Sequence, residues 1–80
     1  MDRCRRLLEK ARAQPEALRF QELCDLAECF GFVLVRQKGS HRIFKKTGYR
    51  MLLNFQTSKG MARAYQVRQL LSVLEESGVP

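Results

Sequence analysis

Apolar side chains recur along this chain with two different periods, and the change of period divides it into elements. Cys4, Leu7, Leu8 and Ala11 stand at i, i+3, i+4 and i+7, the spacing that lines one face of a helix. Asp2 can cap the start of that helix, and Pro15 ends it. From about Leu18 a second stripe follows, built by Phe20, Leu23, Leu26, Ala27 and Phe30 and stopped by Gly31. After Gly31 the period becomes two. Phe32-Val33-Leu34-Val35 is aromatic and β-branched and then alternates into Arg36-Gln37-Lys38, which predicts a strand that leaves the core for solvent. Gly39-Ser40 makes a turn, His41 to Lys46 a second strand, Thr47-Gly48 a tight two-residue connection, and Tyr49 to Phe55 a third strand. Beyond the polar loop Thr57-Ser58-Lys59-Gly60, the residues Val67, Leu70, Leu71 and Leu74 restore the helical stripe up to Ser77-Gly78. No strong N-cap precedes this last helix near Arg63.

The order α-α-β-β-β-α predicts an α+β fold, with a three-stranded antiparallel meander covered on one face by helices and open on the other. Eighty residues have surface enough for one modest core. The expectation is a single domain over 1–80, with 1–17 as a helical extension and 18–78 as the main unit. No repeat, linker or low-complexity tract interrupts it. Apolar stretches are far shorter than the ~20 residues that cross a bilayer, and the start MDRCRRLLEKARAQ has no secretory signal. A cytoplasmic protein without a membrane partner is expected. Cys4, Cys24 and Cys29 form no C-x-x-C pair or metal-ligand spacing, so buried free thiols are expected in a reducing compartment.

Charge changes the picture most. Residues 1–28 hold six basic and six acidic side chains and cancel. Residues 29–74 hold nine basic side chains, Arg36, Lys38, Arg42, Lys45, Lys46, Arg50, Lys59, Arg63 and Arg68, and no Asp or Glu. Ordinary surfaces intersperse both signs, whereas a single-sign field steers a charged partner. The expected partner is a polyanion or an acidic protein. A helix-turn-helix DNA reader fits poorly, because the first two helices are balanced in charge and the positive field lies on the strands.

The sole histidine, His41, follows the Gly39-Ser40 turn at the start of a strand, with Arg36, Lys38, Arg42 and Lys45 close in sequence. A lone histidine beside a turn is more often a solvated or hydrogen-bonded residue than a catalyst. Here a phosphate held by the surrounding cations would lie within reach of an imidazole, a group that titrates near neutrality. The carboxylates that hold Mg²⁺ in metal-dependent nucleases are missing from this stretch. Metal-free phosphodiester cleavage is easier when the substrate supplies its own 2′-OH, which a histidine can deprotonate. That chemistry selects RNA over DNA. It needs no cofactor and no metal. With no second histidine, the leaving oxygen has Lys38, water or a tyrosine as its proton donor, which implies slow cleavage.

The pattern G-F-x-L-x-R-x-x-G-S-H-x-I-F, read at Gly31 to Phe44 after the helix R-F-x-E-L-x-x-L-A-E, resembles the HicA (YcfA-like) toxins of bacterial toxin-antitoxin systems. The resemblance runs from about Arg19 to Gly78. It implies a double-stranded-RNA-binding-like α-β-β-β-α fold, an mRNA interferase that blocks translation, and a HicB-like antitoxin as partner. By resemblance Gly39 and Ser40 match the turn and His41 the histidine taken as catalytic; with the nearby cations added, the expected RNA-contacting set is Arg36, Lys38, Gly39, Ser40, Arg42, Lys45 and Lys46. Asn54-Phe55-Gln56 stands where many members carry P-x-H. The segment from Gly60 to Gln69 and the helix before Pro15 are similar to a longer variant of the family. Gln56, Tyr65 and Gln66 read either as RNA contacts or as hydrogen-bonding groups at a helix start. Two other functions share the charge pattern: a non-catalytic RNA-binding module of the same fold, and a small basic protein-interaction domain.

Overall fold

The computed structural model describes residues 2–79. Its elements are α1 (Arg3–Ala13), a single 3₁₀ turn (Pro15–Ala17), α2 (Phe20–Cys29), β1 (Val33–Lys38), β2 (His41–Lys45), β3 (Leu53–Gln56) and α3 (Ala64–Glu76). The strands form one antiparallel sheet in the order β1-β2-β3. This is the α+β arrangement expected from the change of period, with the extra helix at the N-terminus.

Asp2 caps α1, its carboxylate accepting from the backbone N–H of Cys4 at 2.9 Å and of Arg5 at 3.4 Å. Glu22 closes the start of α2 by accepting from the Arg19 N–H at 2.9 Å, the acidic half of a capping box. α2 ends where Gly31, at φ +95°, lets the chain reverse. The Gly31 N–H reaches the Glu28 carbonyl and the Phe32 N–H the Ala27 carbonyl, both at 3.1 Å, the two bonds of a Schellman stop. That reversal drives Phe32 into the core. As expected, no side chain caps α3 at Arg63.

The buried side chains form one cluster. Leu7, Leu8 and Ala11 of α1 meet Leu23, Leu26 and Ala27 of α2, the sheet contributes Phe44, Leu53 and Phe55, and α3 adds Val67, Leu70 and Leu74. The Phe44 and Phe55 rings lie 5.6 Å apart in a tilted arrangement. Helices α1 and α2 run antiparallel, so that Arg3 pairs with Asp25 at 2.8 Å at one end and Lys10 with Glu22 at 3.0 Å at the other.

Three expectations need correction. First, Cys4 and Cys29 are joined in a disulfide, and only Cys24 is a free, buried thiol. The antiparallel pairing puts the first turn of α1 against the last of α2, with the two Cα atoms 5.7 Å apart. Second, β3 is shorter than its apolar pattern. Thr47-Gly48 does turn the chain, but residues 46–52 stay outside the ladder, Tyr49 packs edge-on against Phe32 at 5.9 Å, and Met51 and Leu52 are exposed. Third, β1 does not begin in the core. It is an edge strand exposed along its length, with Val33 at 61% and Val35 at 54%. A bulge between Leu34 and Arg36 breaks its register, a device that twists an open edge away from stray pairing.

The Arg19 backbone N–H, assisted by Lys10 against the cost of partial burial, holds the Glu22 carboxyl below its ordinary value. A carboxylate lowered in the folded state stabilises it above the unfolded-state value and loses that contribution as pH falls through the folded one. The thermal midpoint should therefore fall below about pH 4.5, and Glu22→Gln should flatten that acid limb. Melting curves for both proteins between pH 2 and 7 check this; parallel curves would assign the acid sensitivity to other groups.

Candidate functional site

Register decides which side chains share a face. Across the sheet, Lys38 lies opposite His41 and His41 opposite Gln56, while Arg36 lies opposite Ile43 and Ile43 opposite Asn54. In the intervening row Phe44 and Leu53 are buried on the helix side, and Leu34, opposite Phe44, lies at its exposed edge. Because neighbours across a sheet point the same way and successive residues alternate, Arg36, Lys38, His41, Ile43, Lys45, Asn54 and Gln56 make up the face that the helices leave open. The Gly39-Ser40 turn sets this register, Gly39 adopting φ +57° as a two-residue hairpin turn requires. The Ser40 carbonyl accepts from the Thr57 N–H at 3.2 Å and ties the hairpin tip to the chain beyond β3.

Arg36, Lys38, His41, Ile43 and Asn54 line a hollow of about 330 Å³ on this face. His41 is exposed, and its Nδ1 lies 3.2 Å from Asn54 Oδ1. Ile43 gives the hollow an apolar floor. Two cations, an imidazole and a carboxamide around an apolar floor fit a phosphate with an attached sugar or base. No Asp or Glu belongs to any of the three strands. A larger hollow, about 610 Å³, lies beside the disulfide and shares no residue with this one. Its charged lining is mixed, with Asp2 and Glu9 against Arg5 and Arg12.

The structure thus gathers Arg36, Lys38 and His41, and it places Lys45 on the same face, four residues or about 13 Å along the strand from His41. Gly39 and Ser40 form the adjoining tip. Arg42 goes elsewhere. It projects from the helix-covered face, its guanidinium 5.1 Å from the Phe20 ring centroid, 3.2 Å from Gln21 Oε1 and 3.7 Å from Cys24 Sγ. Burial pushes the Cys24 thiol up, with Arg42 pulling the other way, so this thiol is a core group rather than a nucleophile. Lys46 is also turned aside, its Nζ lying 5.7 Å from the Phe32 ring centroid.

Of the residues left open between RNA contact and structure, Gln66 has a structural place. It is 5% exposed, and its Oε1 accepts from the Gln56 N–H at 2.9 Å while its Nε2 donates to the Asn54 carbonyl at 3.0 Å and to the Tyr65 hydroxyl at 3.3 Å. A side-chain amide thereby supplies the strand partner that β3 lacks on its outer edge. Asn54 carried no chemical signal in the sequence. Its role follows from being the diagonal neighbour of His41, which strand spacing alone does not reveal.

Among the described residues no three His, Cys, Asp or Glu side chains cluster as a metal site, and no helix is long and apolar enough to cross a membrane. The model of one protein family, described as the HicA toxin of bacterial toxin-antitoxin, matches residues 20–79. The match begins at α2 and leaves α1 outside. No curated protein and no solved structure matches the chain.

Proposed function

The chain belongs to the HicA toxin family of bacterial toxin-antitoxin systems, and from that premise we propose that its toxicity is metal-independent cleavage of mRNA on the open sheet face. The observation that carries this reading is His41 beside Arg36 and Lys38 in a hollow on a face without carboxylates. His41 takes the proton of the ribose 2′-OH, the 2′-oxygen bonds to phosphorus, and the bond from phosphorus to the 5′-oxygen breaks. Arg36 and Lys38 hold the phosphate and offset the charge that accumulates on its oxygens. The leaving 5′-oxygen takes its proton from Lys38 or water. Cleavage of mRNA then stops translation, and this target places the protein in the cytoplasm. A reducing cytoplasm favours the thiols of Cys4 and Cys29. Leu7, Leu8, Ala11 and the Lys10–Glu22 pair still hold α1.

The test is cleavage of a labelled RNA in excess EDTA. Products ending in 2′,3′-cyclic phosphate or 3′-phosphate, with a DNA of the same sequence untouched, are the expected result. Binding without any product would replace the ribonuclease with a non-catalytic RNA-binding module.

We further propose that a HicB-like antitoxin silences the protein by covering Arg36, Lys38 and His41 with an acidic surface. The exposed Val33 and Val35 on the unpaired β1 edge add apolar area beside that patch.

Adjacent lysines give a second check on the face. Three engaged cations, Arg36, Lys38 and Lys45, predict a log-log salt slope near −2 for single-stranded RNA, from about 0.7 counterions released per contact. Lys45→Ala should reduce the slope by about 0.7, and Lys46→Ala should leave it unchanged. Equal effects from the two lysines would show that RNA does not lie on the open face.

A further inference from the structure

We propose that Asn54, itself fixed by Gln66, is a positioning residue that sets the tautomer of His41 and leaves Nε2 as the proton-accepting nitrogen. The inference rests on the ribonuclease reading for its catalytic meaning, though its structural content stands apart from that reading.

A neutral imidazole carries its proton on either nitrogen, and the hydrogen bond made by one nitrogen decides the state of the other. Among the described residues the polar side chain within hydrogen-bond distance of the ring is Asn54, with Oδ1 3.2 Å from Nδ1. A carboxamide oxygen has lone pairs and no proton, so it accepts, and Nδ1 must carry the hydrogen. The lone pair is then on Nε2. An unconstrained histidine side chain in water prefers the opposite tautomer, with the proton on Nε2 and no base at that end. Asn54 thus opposes the intrinsic preference of the ring and presents a base where a 2′-OH can meet it.

Such control works only if the carboxamide is itself held. Asn54 lies opposite Ile43 in the ladder, and His41 lies opposite Gln56, so Asn54 and His41 are diagonal neighbours on one face, close enough for side chains to meet. On its other side β3 has no strand. Gln66 closes that edge, accepting from the Gln56 N–H and donating to the Asn54 carbonyl. Both bonds come from one amide that is 5% exposed, which fixes the backbone on either side of Phe55. Phe55 is fully buried between them. The direction of the Asn54 Cβ is therefore set by β2, by the core and by α3 together. Ordering runs from the first turn of α3 through β3 to the imidazole, and each step is a hydrogen bond or a ladder pair.

The chain has one histidine, so a ¹⁵N-labelled sample gives a single imidazole, and long-range ¹H-¹⁵N spectra at about pH 8.5, where histidine is ordinarily neutral, read its tautomer directly. The expected result is a proton on Nδ1 in the wild type, a shift toward Nε2–H in Asn54→Leu, and retention of Nδ1–H in Asn54→Asp, which keeps an acceptor. In single-turnover assays Asn54→Leu should cleave RNA roughly tenfold to a hundredfold more slowly, a part of what a general base supplies, with a much smaller change in RNA affinity because Arg36, Lys38 and Lys45 keep the phosphate contacts. Asn54→Asp should recover much of that loss. Asn54 is exposed, and thermal melts of both variants confirm that they are folded.

An Nε2–H wild type would overturn the proposal, since it would mean that the amide is reversed and donates to Nδ1. A tautomer indifferent to Asn54→Leu would overturn it as well. A locked Nδ1–H tautomer in a protein that cleaves no RNA would support the positioning of His41 and remove the ribonuclease reading instead. Cleavage by Asn54→Leu at the wild-type rate would leave the ribonuclease standing and remove the role of Asn54.

Discussion

His41→Ala should abolish RNA cleavage and growth inhibition while keeping most of the RNA affinity. The variant loses only the group that moves the 2′-OH proton, a contribution on the order of 10² to 10⁴ in rate. Arg36, Lys38 and Lys45 survive on the same face, and phosphate contacts of this kind supply sequence-independent affinity. The fold should tolerate the change. His41 is exposed at the start of β2 and, among the described residues, its ring hydrogen-bonds to the side chain of Asn54, so truncation should cost under about 1 kcal/mol. Growth after induced expression, single-turnover cleavage and RNA titration, each with a thermal melt, measure the three expectations separately. A folded His41→Ala protein that cuts RNA at the wild-type rate would falsify the assignment.

Phe55→Ala should have the largest effect on stability. Phe55 is fully buried, it packs against Phe44, and its strand neighbours on both sides carry the Gln66 bonds. Truncating a buried phenylalanine costs about 3–5 kcal/mol in lost transfer energy and cavity. A domain of this size has a total stability of roughly 4–12 kcal/mol, so a large fraction disappears. The midpoint should fall by more than about 12 °C, at 4–8 °C per kcal/mol for small domains. Phe44→Ala should behave similarly, and the double variant should cost less than the sum because the two rings share one cavity. Differential scanning calorimetry checks both statements. A shift of only a few degrees would mean that the two rings are not the centre of the core.

The helices were legible because each buries one stripe. Leu7, Leu8 and Ala11, then Leu23, Leu26 and Ala27, then Val67, Leu70 and Leu74 are both periodic in the sequence and buried in the fold. The strands were legible in kind and less so in extent. Val33, Val35, Met51 and Leu52 have the composition of buried strand residues, yet they lie at an edge or in a connection. Strand composition reports a side chain's fit to a pleated surface, and that fit does not say whether another layer covers the surface.

The site divides in the same way. The cation excess between Cys29 and Leu74, the turn at Gly39-Ser40 and the position of His41 are properties of the chain, and so is the family pattern that residues 31–44 carry. Which cations stand beside His41 depends on register, because a shift of one residue moves a side chain to the other face. Arg42 is adjacent to His41 in sequence and lies on the opposite face, whereas Asn54 is thirteen residues away and within hydrogen-bond distance. The disulfide belongs to the same class of fact, since Cys4 and Cys29 meet only through the antiparallel packing of α1 on α2. The sequence by itself determined what depends on local spacing and summed charge: the order of elements, the helical faces, the positive field and the lone imidazole. Tertiary structure alone decided what depends on register and packing: the open face shared by Arg36, Lys38 and Lys45, the diversion of Arg42 and Lys46 onto aromatic rings, and the line from Gln66 through Asn54 to His41. Pairing across strands joins residues whose separation along the chain carries no period, so no local pattern encodes it.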